Sequence, residues 1–119
     1  MNSEIIDKAF EEGQIIRSYL YNAQGDNAQK TIERFSYKFL ESLRRKDSGD
    51  VAANLIRLYC NIDGRQIPEF FKELLKNISS MNQIGYAFLL GLNSYKEFST
   101  KAEKENKESI EINEDKEEE

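Results

Sequence analysis

A chain of 119 residues, 39% hydrophobic and 33% charged with net charge −5, has the size of one domain and the composition of short amphipathic helices. It has no histidine, one cysteine and no run near the ~18 apolar residues of a membrane span, which excludes histidine triads, internal disulfides, zinc ribbons and a transmembrane helix. The polar start Met1-Asn2-Ser3-Glu4 is unlike a signal peptide, and nothing points to an oxidising compartment, so the expected location is cytoplasmic.

Ser3 is placed to cap a first helix, with Glu4 and Asp7 in its first turn. Ile5, Ile6, Ala9, Phe10, Ile16 and Leu20 then recur at helical spacing up to Gly25. Gly13 interrupts them, at a cost of ~1 kcal/mol in a helix interior unless it permits a close helix crossing. Asp26-Asn27-Ala28-Gln29 reads as a capping box for a second helix, whose stripe is Ile32, Phe35, Phe39 and Leu43. Arg44-Arg45-Lys46 suit its C-terminal end.

Asp47-Ser48-Gly49-Asp50 reads as a turn, and a third helix is expected from Val51 to Ile62 with Ala52, Leu55, Ile56 and Tyr59 facing inward and Leu58 and Ile62 alongside. Cys60 is expected to be a buried structural thiol. Pro68 fits the first position of a short fourth helix carrying Phe70, Phe71, Leu74 and Leu75. Ser79 or Ser80 is placed to cap the fifth and most apolar helix, expected at the centre, with Gly85 and Gly91 admitting neighbouring backbones. Together these elements predict an all-α fold: a single bundle of about five helices over residues 1–99, with a disordered acidic tail over residues 100–119.

The acidity is uneven. Residues 101–119 hold nine acids and four lysines, whereas residues 1–100 hold thirteen of each sign. An acidic pI therefore does not exclude nucleic acid, but it excludes a strongly basic domain that coats duplex DNA unaided. No phosphate-binding glycine loop is present, and Glu11 and Glu12 diverge by about 100° on a helix. The expectation is no enzyme, no metal and no cofactor.

The basic residues form the remaining constellation. Lys30, Arg34 and Lys38 are spaced four apart on the second helix, Arg44, Arg45 and Lys46 follow, and Arg57 and Arg65 lie beyond. One reading is a solvated face with pairs such as Arg34 to Glu41. The other is a sequence-blind, salt-sensitive track for a phosphate backbone. Tyr19, Tyr21, Tyr37 and Tyr95 are available for base stacking but fit the edge of the core better.

Four segments carry a resemblance: Ala9-Phe10-Glu11-Glu12-Gly13; Phe39-Leu40-Glu41-Ser42-Leu43-Arg44; Ile56-Arg57-Leu58-Tyr59 with Ile67-Pro68-Glu69-Phe70-Phe71; and Ile84-Gly85-Tyr86-Ala87-Phe88-Leu89-Leu90-Gly91-Leu92. In this order, over about residues 4–93, the chain resembles the C-terminal helical domain of the large subunit of type I-B CRISPR Cascade complexes. In such systems that domain is also made as a free small subunit by internal translation initiation, and a chain starting at Met1 looks like that form.

The resemblance implies a non-catalytic bundle in antiviral defence, stacked in several copies against the backbone and large subunits around the guide RNA. It also implies sequence-independent holding of target DNA and the displaced single strand, with no membrane partner. The eight basic residues above are the candidate contacts. A small helical protein–protein adaptor or regulator without nucleic-acid binding is the alternative.

Overall fold

The computed structural model describes residues 3–94. These form five α-helices, α1 (Ser3–Gln24), α2 (Ala28–Arg44), α3 (Ser48–Tyr59), α4 (Phe70–Lys76) and α5 (Asn82–Leu92), and a single 3-10 turn (Gly25–Asn27). No strand occurs among the described residues. The expected boundary at residue 99, the acidic tail and Tyr95 lie outside them.

Each long helix buries one stripe. On α1 it is Ala9, Gly13, Ile16 and Leu20, and on α2 it is Ala28, Ile32, Phe35, Phe39 and Leu43, both at spacings of three and four. Helix α5 buries Ile84, Gly85, Ala87, Phe88, Leu89, Gly91 and Leu92, which leaves little of its circumference to solvent. Phe88 is the aromatic hub. Its ring meets Phe71 of α4 edge-on at 5.1 Å and lies 6.0 and 6.2 Å from Phe35 and Phe39, which stack on each other at 4.8 Å. Burying each such ring stabilises the fold by roughly 1.5–3 kcal/mol, with ~0.5–1.5 kcal/mol more from ring–ring geometry.

Helices α1 and α5 make the most extensive helix pair. Glycines set their separation. A Cβ at Gly13 would come within 3.0 Å of the Phe88 carbonyl oxygen and the Leu92 nitrogen, and one at Gly91 would meet the Phe10 carbonyl. Gly85 instead faces the side chain of Leu43, so it makes room for a side chain and not for a backbone. At the C-terminal end of α5, the buried Arg17 donates to the Leu92 carbonyl at 3.1 Å, and to the Tyr21 hydroxyl and Gln29 Oε1 at 3.1 and 3.2 Å. A cation thus sits where the helix dipole is negative.

The junction between α2 and α3 is tighter than the sequence reading placed it. The Lys46 N–H donates to the Leu43 carbonyl at 3.1 Å and the Asp47 N–H to the Ser42 carbonyl at 3.0 Å, a Schellman closure with Lys46 in the left-handed region at φ 57°. Asp47 is then the N-cap of α3, its carboxylate accepting from the Asp50 N–H at 3.0 Å. The expected turn over residues 47–50 is therefore a cap and the first turn of α3. Lys46→Gly is expected to raise stability by about 1 kcal/mol, because glycine removes the left-handed penalty borne by a Cβ. Chemical denaturation with an unchanged slope checks this.

Other expectations are corrected at the helix ends. Ser3 is already helical and does not stand before the helix as a cap. Asp26 lies in the 3-10 turn, Asn27 holds the cap position of α2 without a side-chain bond, and Gln29 turns to Arg17, Tyr21 and Glu33. Met81, not a serine, precedes α5. Pro68 lies two residues before α4 and accepts the Phe71 N–H at 3.2 Å. Helix α3 starts at Ser48 and ends at Tyr59, and of its expected inner face Ile56 is instead 55% exposed, while Asn54 turns inward beside Leu55, Leu58 and Tyr59.

Candidate functional site

A groove of about 450 Å³ runs between α2 and the C-terminal half of α3. Thr31, Arg34, Phe35 and Lys38 line it from α2, Asn54, Arg57 and Leu58 from α3, and Cys60 and Asn61 from just beyond. The stripe alternation on α2 creates one wall. Phe35 and Phe39 point into the core, so Arg34 and Lys38, one helical turn apart, stand together at the rim. The opposite wall is Arg57.

A buried polar chain positions Arg57. The Ser42 hydroxyl, fully buried, donates to the Asp50 carboxylate and accepts from Asn54 Nδ2 at 3.0 Å; Asn54 Oδ1 then accepts from the Arg57 guanidinium at 2.8 Å. Arg45 meets the same Asp50 at 3.1 Å. Asp47, Asp50, Ser42 and Asn54 thereby connect the α3 cap to the groove. Satisfied polar networks of this kind hold one rotamer, because breaking any link strands a desolvated partner.

The groove contains three cationic groups and no carboxylate. Among the described residues no acid lies within ion-pair distance of Arg34, Lys38 or Arg57, nor of Lys30, one turn earlier on α2, or Lys46. Glu41, one of the acids a solvated-face reading offers Arg34, instead faces Arg44 at 3.6 Å. Arg44 and Arg45 remain largely exposed but carry acidic partners. Of the eight sequence-selected residues, the fold therefore unites Arg34, Lys38 and Arg57. Lys30 extends that ridge, and Lys46, Arg44 and Arg45 occupy the α2–α3 turn.

Arg65 belongs elsewhere. Its guanidinium forms a two-pronged pair with Glu12, with Nε to Oε2 at 3.0 Å, and Tyr59 donates its hydroxyl to the same carboxylate at 2.7 Å. Glu12 is only 5% exposed. Glu12, on a helix whose sequence gives no sign of it, is a buried anchor that ties the segment after α3 to α1. Glu12 raises the pKa of Arg65, chiefly through their hydrogen bond. Burial first, and then Glu12, keeps the Tyr59 hydroxyl protonated far above its ordinary range. Both raised values stabilise the fold below pH ~10, and the Tyr59 contribution declines above it.

Cys60 is a second correction. It continues the backbone of α3 one residue past Tyr59 and is exposed at the groove, not buried, because it lies one turn after the exposed Ile56 on the outer face of that helix. Tyr37 is 71% exposed on α2 and Tyr19 44% exposed, whereas Tyr21 hydrogen-bonds to Gln29 at 2.7 Å; of these three, Tyr21 alone packs at the core edge. No metal-binding cluster and no helix long and apolar enough to cross a membrane occur among the described residues.

Fold and site together define an all-helical bundle with a cationic groove that is not neutralised by its own acids. Comparison with protein-family models, curated proteins and solved structures finds no match.

Proposed function

We propose that this chain is a non-catalytic small subunit of a type I-B CRISPR Cascade complex, packing against guide-RNA-bound backbone subunits and holding target DNA or the displaced strand. The observation that carries the nucleic-acid part is the groove, in which Arg34, Lys38 and Arg57 converge without a carboxylate. Cations with no acidic partner are free to neutralise phosphates, and each phosphate they neutralise releases counterions condensed on the nucleic acid, with a gain in entropy. Guanidinium forks and an ammonium serve phosphates without reading bases, which suits a system whose sequence specificity lies in guide pairing. The Cascade assignment itself draws on the four-segment resemblance.

The adaptor reading draws on Tyr37, Ile56 and Leu90, large side chains that are 71, 55 and 65% exposed. A stacked subunit needs protein contacts as well, so the groove separates the two readings. A fluorescent thymidine oligonucleotide titrated across a salt series tests it. Three phosphate contacts predict weak binding whose logarithm falls with log salt at a slope of about −2. Absent or salt-independent binding would remove the nucleic-acid role and leave the adaptor.

A further inference from the structure

We infer that the basic groove also docks the chain's own acidic segment, residues 111–119, which a nucleic-acid strand must displace. The docking itself is independent of the function proposed above; only its competition with a strand rests on that reading.

Charge identifies the occupant. Residues 101–110 balance three lysines against three glutamates, whereas residues 111–119 hold six acids against Lys116 alone. That segment therefore carries the whole net charge of −5, and residues 1–110 sum to zero. The groove presents the complementary pattern: Arg34, Lys38 and Arg57 around one cleft, with no acid lining it. Its apolar lining, Phe35 and Leu58, offers a surface for Ile110 and Ile112, the only large apolar residues of 101–119.

Reach is sufficient. Asn93 Nδ2 donates to Ser36 Oγ at 3.1 Å, which fixes the end of α5 to α2, the helix that carries Arg34 and Lys38. From Ser94 to Glu111 is seventeen residues. Random-coil dimensions for that many residues are roughly 5–6 Å × √17, or about 23 Å, and a helix with its side chains is only ~10–12 Å across. The tethered acids face the groove at an effective concentration of order 1 mM, so an intrinsic affinity of roughly 0.1 mM occupies it about nine-tenths of the time. A single strand contact is then weakened about tenfold but not abolished, whereas a strand held at once by several stacked copies prevails by avidity. The segment acts as a threshold against stray polyanions.

Cys60, the sole cysteine, is exposed on the groove and accepts a nitroxide label. In the full chain without nucleic acid, NMR signals of residues 111–119 are expected to lose most of their intensity to that label. They recover at roughly 1 M salt, where the screening length is ~3 Å. They also recover with Arg34→Gln and Lys38→Gln combined, both exposed positions outside the core. Without the label, the same double substitution is expected to shift those signals. Full intensity in the labelled parent, or losses unchanged by salt and substitution, overturns the docking. Because oligonucleotide is absent, that result leaves strand binding to its own titration.

Discussion

Gly13→Ala is expected to destabilise the domain by more than about 3 kcal/mol, and Gly91→Ala to do the same. Alanine gains ~1 kcal/mol of helix propensity over glycine, so on propensity alone both would stabilise. The crossing reverses the sign. The new methyl at position 13 meets the Phe88 carbonyl and the Leu92 nitrogen, and that at position 91 meets the Phe10 carbonyl. These are backbone atoms of regular helices and cannot rotate aside as a side chain does. The helices must separate, and their separation opens the most extensive interface of the fold around Phe88, Ile16 and Leu20. Overpacking commonly costs ~1–3 kcal/mol where side chains absorb it, and more where they cannot. Against a total stability of ~5–15 kcal/mol, that is a large fraction. Gly49→Ala is the control: its Cβ would meet only Asp47 Oδ1 at 3.5 Å, so it is expected to leave stability unchanged or raise it by about 0.5–1 kcal/mol. Denaturant titration of the three variants reads this directly, and a loss under 1 kcal/mol at Gly13 would contradict the crossing.

Charge reversal in the groove, with Arg34, Lys38 and Arg57 replaced by glutamate, is expected to weaken oligothymidine binding by at least ~100-fold at low salt and to bring the salt slope near zero. Each lost phosphate contact removes about 0.7 from a single-strand slope. Reversal of Arg44, Arg45 and Lys46 is expected to act less, about tenfold, through the general field. Two of those three already face acids, Arg44 toward Glu41 and Arg45 toward Asp50, so phosphate must compete with an internal partner. Equal effects from the two triplets would assign the site to the turn and not to the groove. Arg34 and Lys38 report most cleanly, because Arg57 is also hydrogen-bonded to the buried Asn54.

Periodicity made the stripes of α1 and α2 readable, since four-and-three spacing of Ala9, Ile16 and Leu20, and of Ile32, Phe35, Phe39 and Leu43, places them on single faces. Gly13 was readable as a crossing for the same reason: a glycine inside a strong stripe needs a packing partner. The start of α3 was not, because it depends on Lys46 adopting a left-handed backbone, which lysine disfavours and the closure onto Ser42 compensates. Within α3 the apolar run Leu55, Ile56 and Leu58 offers periodicity no single stripe, and packing against α2 turns Asn54, Leu55 and Leu58 inward while Ile56 and Cys60 fall outside.

For the site, spacing alone put Arg34 and Lys38 on one ridge. Which residue faces them across the cleft is a tertiary matter, settled by Ser42, Asp50 and Asn54. Glu12 and Arg65, fifty-three residues apart, show the converse limit. A charged pair that is buried together carries the same sequence signature as two surface charges, so the commitment of Arg65 emerges only from the fold.

Recovery of the protein from its native cell at low salt, with its bound partners identified by mass spectrometry and RNA sequencing, tests the central claim most directly. The account predicts guide RNA, repeated Cascade backbone subunits and the large subunit in one assembly, with several copies of this chain. Recovery with an unrelated protein and no guide RNA would contradict it.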